Sequence, residues 1–170
     1  MHDQEYTDLQ FTPLNILNGT PEGRLGIDSS AILIPDQYNI IFKLSFISGF
    51  TAGYAFYNNY IDIAIINGIV FLTSINYWRK PDYSWRRYLD MTMVKSAIIY
   101  EGIRAYTAEY SNTYYILILA AIIWYYFGVY CYTKKSFWLS TYSHCMLHIL
   151  GNIAKIILYS GYISPITNIR

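Results

Sequence analysis

The chain has 170 residues, 54% of them hydrophobic, 14% charged and 19% aromatic, with a formal net charge of +1. Soluble domains carry about 25% charged residues, so this composition points away from a soluble domain and toward the membrane class. A net charge near zero leaves no basic surplus to track phosphates, which excludes nucleic acid as a partner.

Residues 1–37 are polar and dotted with turn formers: Pro13, Asn18-Gly19, Pro21, Gly23, Gly26 and Pro35. They read as an extended arm suited to lying on a partner, with little to gain from folding alone. Residues 1–20 lack a basic start followed by an apolar run, so no cleaved signal or transit peptide is expected and the first membrane helix acts as the signal. The Asn18-Gly19-Thr20 sequon reads as a turn.

Five apolar segments follow at 39–57, 61–77, 88–106, 113–132 and 138–159. Each has the length that crosses a hydrocarbon core of about 30 Å at about 1.5 Å per residue. Most have Tyr or Trp near their ends, where an apolar ring with a polar tip anchors at the interface. The third segment carries Asp90, Lys95, Glu101 and Arg104, charges that a lone helix in lipid tolerates poorly. The expected fold is therefore an all-α, polytopic membrane bundle of about five helices over 38–162. It follows the polar N-terminal arm and leaves a short C-terminal tail at 163–170.

The linker between segments 2 and 3 carries Arg79, Lys80, Arg86 and Arg87, and the linker between segments 4 and 5 carries Lys134 and Lys135. Five crossings put both linkers on one side, which basic residues mark as cytoplasmic or matrix-facing. The N-terminus then lies on that side. Were the third segment not to cross, the two basic linkers would lie on opposite sides.

Segment 1 contains Ser45-x-x-x-Gly49-x-x-x-Gly53, a small-residue face that lets another backbone approach, either within the bundle or in a neighbouring subunit. The stretch 78–90 interleaves Arg79, Lys80, Trp85, Arg86 and Arg87, which suits the lipid headgroup layer. Glu101 and Arg104 stand three apart and could pair on one helix. Asp90 reads as a helix N-cap, as a carboxylate that orients an imidazole, or as a proton acceptor. His144 and His148, four apart, share one helical face that Thr141 and Asn152 extend, with Lys155 close by. Such a face offers metal ligands or, equally, polar groups that bond neighbouring helices. Cys131 and Cys145 form no ligand pair and read as packing residues.

Ser74-x-x-x-Trp78, then Asp90, then His144-x-x-x-His148 resembles the motif order of the alkaline ceramidase-like superfamily of membrane hydrolases. The resemblance implies zinc held by histidines, with Ser74 and Asp90 serving a metal-bound water and His144 and His148 as two of the ligands. Trp78 stands where the family has its third histidine, and an indole does not ligate zinc. The block Arg79-x-Pro81-x-Tyr83-x-Trp85-Arg86-Arg87-x-x-Asp90 is also similar to uncharacterised small membrane proteins of large DNA viruses and protists. Two functions follow as expectations. One is a non-catalytic structural or accessory subunit of a larger membrane assembly, in a virion inner membrane or an organellar membrane such as the mitochondrial inner membrane. It would hold no cofactor, and its arm and Gly49/Gly53 face would contact other subunits. The other is a metal-dependent lipid amide hydrolase with a water-activating zinc.

Overall fold

The computed structural model describes residues 32–165. The arm up to residue 31, its sequon, and tail residues 166–170 lie outside the described residues. The described part is all-α, with five helices: α1 Pro35–Tyr57, α2 Ile61–Trp78, α3 Trp85–Ala105, α4 Ser111–Thr133 and α5 Phe137–Ser160. Three of them, α1, α2 and α4, are long and apolar enough to cross a membrane, which makes the chain an integral membrane protein. The charges of α3 and the Ser, Thr, His, Asn and Lys residues of α5 keep those two outside that group.

Local chemistry sets the boundaries. α1 begins four residues before segment 1, at Pro35, whose missing N–H costs nothing in a first turn. The Gln37 side chain folds back to accept from the Ile34 N–H at 3.3 Å. Residues 32–34 are not free arm, because Leu33 and Ile34 are buried against the bundle and the Ile32 N–H donates to the Pro81 carbonyl at 3.1 Å.

The α1–α2 and α4–α5 turns share one geometry. Tyr60 N–H bonds Ala55 O and Asn59 N–H bonds Phe56 O, at 2.9 and 3.0 Å. Ser136 N–H bonds Cys131 O and Lys135 N–H bonds Tyr132 O, both at 2.9 Å. These are paired Schellman bonds, and the left-handed residue they require is Asn59 in one turn (φ 64°) and Lys135 in the other (φ 59°).

The α2–α3 linker is tied by Arg86. Its guanidinium donates to the carbonyls of Asn76 and Lys80 at 3.2 and 2.9 Å and to Asp82 Oδ2 at 2.7 Å. This brace starts α3 at Trp85, three residues before segment 3.

α1 packs on α2 and α5, α5 packs most extensively on α4, and α2 packs on α3, while α3 and α4 barely touch. The helices thus follow one another as α3, α2, α1, α5, α4, with α3 and α4 at the two ends of the series. One apolar cluster gathers Ile63, Tyr114, Leu158 and Tyr159 at the α3–α4 loop end. A second gathers Leu33, Ile41, Tyr77, Trp78 and Phe137 at the basic-linker end. Polar side chains fill the layer between them.

Candidate functional site

The antiparallel α2–α3 hairpin sets Asp90 opposite the last turns of α2. The Ser74 hydroxyl donates to Asp90 Oδ1 at 2.6 Å, and the Thr73 hydroxyl lies 3.2 Å from the same oxygen. Asp90 is the sixth residue of α3, so the capping alternative is corrected: the helix opens at Ser84–Trp85, and Asp90 sits buried inside it. Its carboxylate has hydroxyl partners rather than a cation.

On α5, the rings of His144 and His148 lie 5.1 Å apart. The Trp78 ring reaches across from α2 to within 4.7 Å of His144, and Tyr125 of α4 comes within 6.3 Å. His148 Nε2 is buried without a hydrogen-bond partner among the described residues. Asp90, Trp78, His144, Arg87 and Tyr125 line a cavity of about 210 Å³ that opens between α3 and α4 near the basic linkers. Folding thus collects Ser74, Trp78, Asp90, His144 and His148, although they are scattered over 75 positions of the sequence.

This set does not fit a zinc ion. Two imidazoles are available, the third place holds an indole packed at a tilt against one of them, and Asp90 Oδ1 is already engaged by Ser74. Among the described residues, no group of three or more His, Cys, Asp or Glu side chains is placed to hold a metal.

A second polar cluster lies deeper, and the sequence reading missed its pairing. Glu101 and Arg104 do not pair with each other. Lys155 of α5 sits 3.1 Å from Glu101 Oε1 and donates to Asn67 Oδ1 at 2.6 Å. Asn67 Nδ2 in turn donates to Glu101 Oε1 at 2.8 Å and lies 2.9 Å from the Tyr159 hydroxyl. Arg104 instead pairs with Asp62 of α2 at 2.9 Å, and it also donates to the Ser164 carbonyl. Cross-helix partners win because a charge buried between helices needs an opposite charge within reach, and each finds one on a facing element. The signal available in sequence was the extension of the 144–148–152 stripe to Lys155 and the charge balance between α3 and α5. Asn152 on that stripe accepts from the Thr51 hydroxyl of α1 at 2.7 Å, as polar glue between helices would.

The small-residue face of α1 divides. Ser45 is buried and bonds its own helix at Ile41 O, Gly49 faces the Phe71 ring of α2, and Gly53 faces outward with open space around it. The tightest small-residue crossing lies elsewhere: a Cβ on Gly128 of α4 would come within 3.0 Å of Ser143 Cβ and 3.3 Å of the Ser140 carbonyl. In the basic linker, Arg79, Lys80 and Trp85 are exposed, Arg86 turns inward as the brace, and Arg87 lies over the Tyr83 ring at 5.1 Å beside the cavity. Both cysteines are free and buried.

No family model, curated protein or solved structure matches the chain.

Proposed function

We propose that this protein is a non-catalytic structural or accessory subunit of a larger membrane assembly, a degenerate ceramidase-like bundle in a virion inner membrane or an organellar membrane. The observation that carries this reading is the Trp78 ring 4.7 Å from the ring of His144, where a third metal ligand would have to stand. What remains of the constellation works as inter-helix glue: Ser74 bonded to Asp90, and Trp78 packed on His144.

The reading includes five crossings with the N-terminus on the cytoplasmic or matrix side. Its support is geometric. α3 is tied to α2 near one end through Ser74–Asp90 and near the other through Asp62–Arg104, so it lies at the depth of an apolar helix along its whole length. α5 is tied in the same way, with Trp78 against His144 at one end and the Tyr60 hydroxyl donating to the Gly161 carbonyl at 2.7 Å at the other. A charged helix is tolerable at that depth because Glu101 and Arg104 each have an internal partner. The linkers holding Arg79–Arg87 and Lys134–Lys135 then share one face.

One observation favours a second reading, a metal-dependent lipid amide hydrolase. Asp90 and His144 border the same cavity, whose lining is contributed by both α3 and α4. The test is hydrolysis of a long-chain N-acyl amide by the purified protein with zinc present. The non-catalytic reading expects no turnover from the unmodified chain. Turnover that Asp90→Asn abolishes would overturn it. A Trp78→His variant asks the converse: a degenerate metal site regains zinc binding when the missing imidazole is restored.

A further inference from the structure

α3 stands at one end of the helix series, and its outer face is uncovered. Tyr88, Thr92, Lys95, Ser96, Ile99 and Ile103 repeat at helical spacing and are all exposed. Lys95 is the anomaly on this face. It is the eleventh of the 21 residues of α3, so about 15 Å of helix separates it from either end at about 1.5 Å per residue. Between the Ser74–Asp90 and Asn67–Glu101 contacts, Lys95 falls level with Val70 and Phe71, the middle of α2. A lysine at a helix end snorkels to the headgroups, but the stem is too short to do so from the midplane. Among the described residues Lys95 has no hydrogen-bond or ion-pair partner, whereas the other mid-bundle cation, Lys155, has two. A lone ammonium facing hydrocarbon is costly, and such residues pair with something.

We propose that the outer face of α3 is the docking site for a transmembrane helix of a different protein, one that carries an aspartate or glutamate at mid-membrane depth opposite Lys95. The proposal rests on the five-crossing subunit reading and names the chemistry of the partner. Charge complementarity sets the choice of occupant. Among the described residues, a second copy of this chain offers no suitable carboxylate: Asp90 and Glu101 are buried, Asp62 is held by Arg104, Asp82 is held by Arg86, Asp36 lies in the first turn of α1, and Glu109 lies in the α3–α4 loop. A two-fold contact would also bring one Lys95 toward another. Thr92, one turn before Lys95, and Ser96, the next residue, supply hydroxyls to the same contact, and Ile99 and Ile103 supply the apolar surface that continues it.

The test places the full-length protein in phosphatidylcholine vesicles with synthetic leucine-rich transmembrane peptides of about 20 residues. One peptide has a central Asp and the other has Leu there, and association is read by energy transfer. The Asp peptide is expected to associate about ten-fold more tightly than the Leu peptide, the scale of a polar contact between membrane helices. The preference should vanish in Lys95→Leu and survive in Lys95→Arg. Lys95 is exposed and has no polar partner among the described residues, so neither variant is expected to threaten the fold, and the comparison of peptides on the unmodified chain needs no variant at all. Equal association of the two peptides overturns the proposal. So does self-association of the unmodified chain that Lys95→Leu abolishes, because the face would then serve a second copy. Equal binding would leave the non-catalytic assignment standing, and amide hydrolysis by the unmodified chain would overturn that assignment without touching the peptide result.

Discussion

Replacing Lys155 by Met removes the cation paired with Glu101 among the described residues and leaves a fully buried carboxylate with only neutral partners such as Asn67. At the observed 3.1 Å, two unit charges attract by about 5 kcal/mol at an effective dielectric of ~20. Desolvation offsets much of that attraction in the intact pair, so the pair itself adds little. Removing one partner is different, because the cost of burying the other charge stays, and such losses run to about 3–5 kcal/mol. Lys155→Met is therefore expected to destabilise the bundle by about that amount. Glu101→Gln should cost less, about 1–3 kcal/mol, because the ammonium keeps Asn67 Oδ1 at 2.6 Å. The double variant Glu101→Gln/Lys155→Met buries no charge and should fall at least ~2 kcal/mol short of the sum of the singles. Equilibrium unfolding in mixed micelles reads all four corners of the cycle. Additivity within ~0.5 kcal/mol would refute the reasoning, since it would mean that the two groups do not sense each other.

Two further outcomes follow from the packing and the linker. Gly128→Leu drives a side chain into Ser143 and the Ser140 carbonyl and should cost about 1–3 kcal/mol, whereas Gly53→Leu enters open space and should stay within ~0.5 kcal/mol; thermal unfolding of the two variants checks the contrast. The Asp82 carboxyl is held below its ordinary value, first by the Ser84 hydroxyl and then by Arg86. Because the folded value is the lower one, its contribution is present above the unfolded value and is lost as pH falls through the folded one, below about pH 4. Asp82→Asn should therefore flatten the drop in unfolding stability between pH 6 and about pH 3, and an unchanged drop would show that the brace carries no such linkage.

Apolar run length and aromatic ends made all five helices legible before any coordinates. The boundaries were less so. α3 opens at Trp85 rather than Tyr88 because Arg86 ties the preceding turn to Asp82 and to two carbonyls, a brace with no periodic signal. The charges of α3 appeared as an objection to spanning; in the structure Glu101 and Arg104 find partners on α5 and α2, while Lys95 has none among the described residues. Their partners could not be read locally. An i, i+3 pairing on one helix satisfies the sequence equally well, and only the facing of α3 against its neighbours decides between them. His144, His148, Asn152 and Lys155 were visible as one stripe because a single helix carries them. The ring contact between Trp78 and His144 joins two helices, and motif order alone hinted at it. The small-residue motif of α1 caught the eye through its repeat. Gly128, at a closer crossing, has its small partners on α5 and so no repeat of its own.

On the non-catalytic reading proposed above, the His144–His148 face is glue between helices and not a metal site. The most direct measurement is the zinc content of the full-length protein purified from membranes, beside that of the His144→Ala/His148→Ala double variant. Far less than one zinc per chain is expected in both, with the double variant still assembling in the membrane. One zinc per chain in the unmodified protein, lost in the double variant, would contradict it.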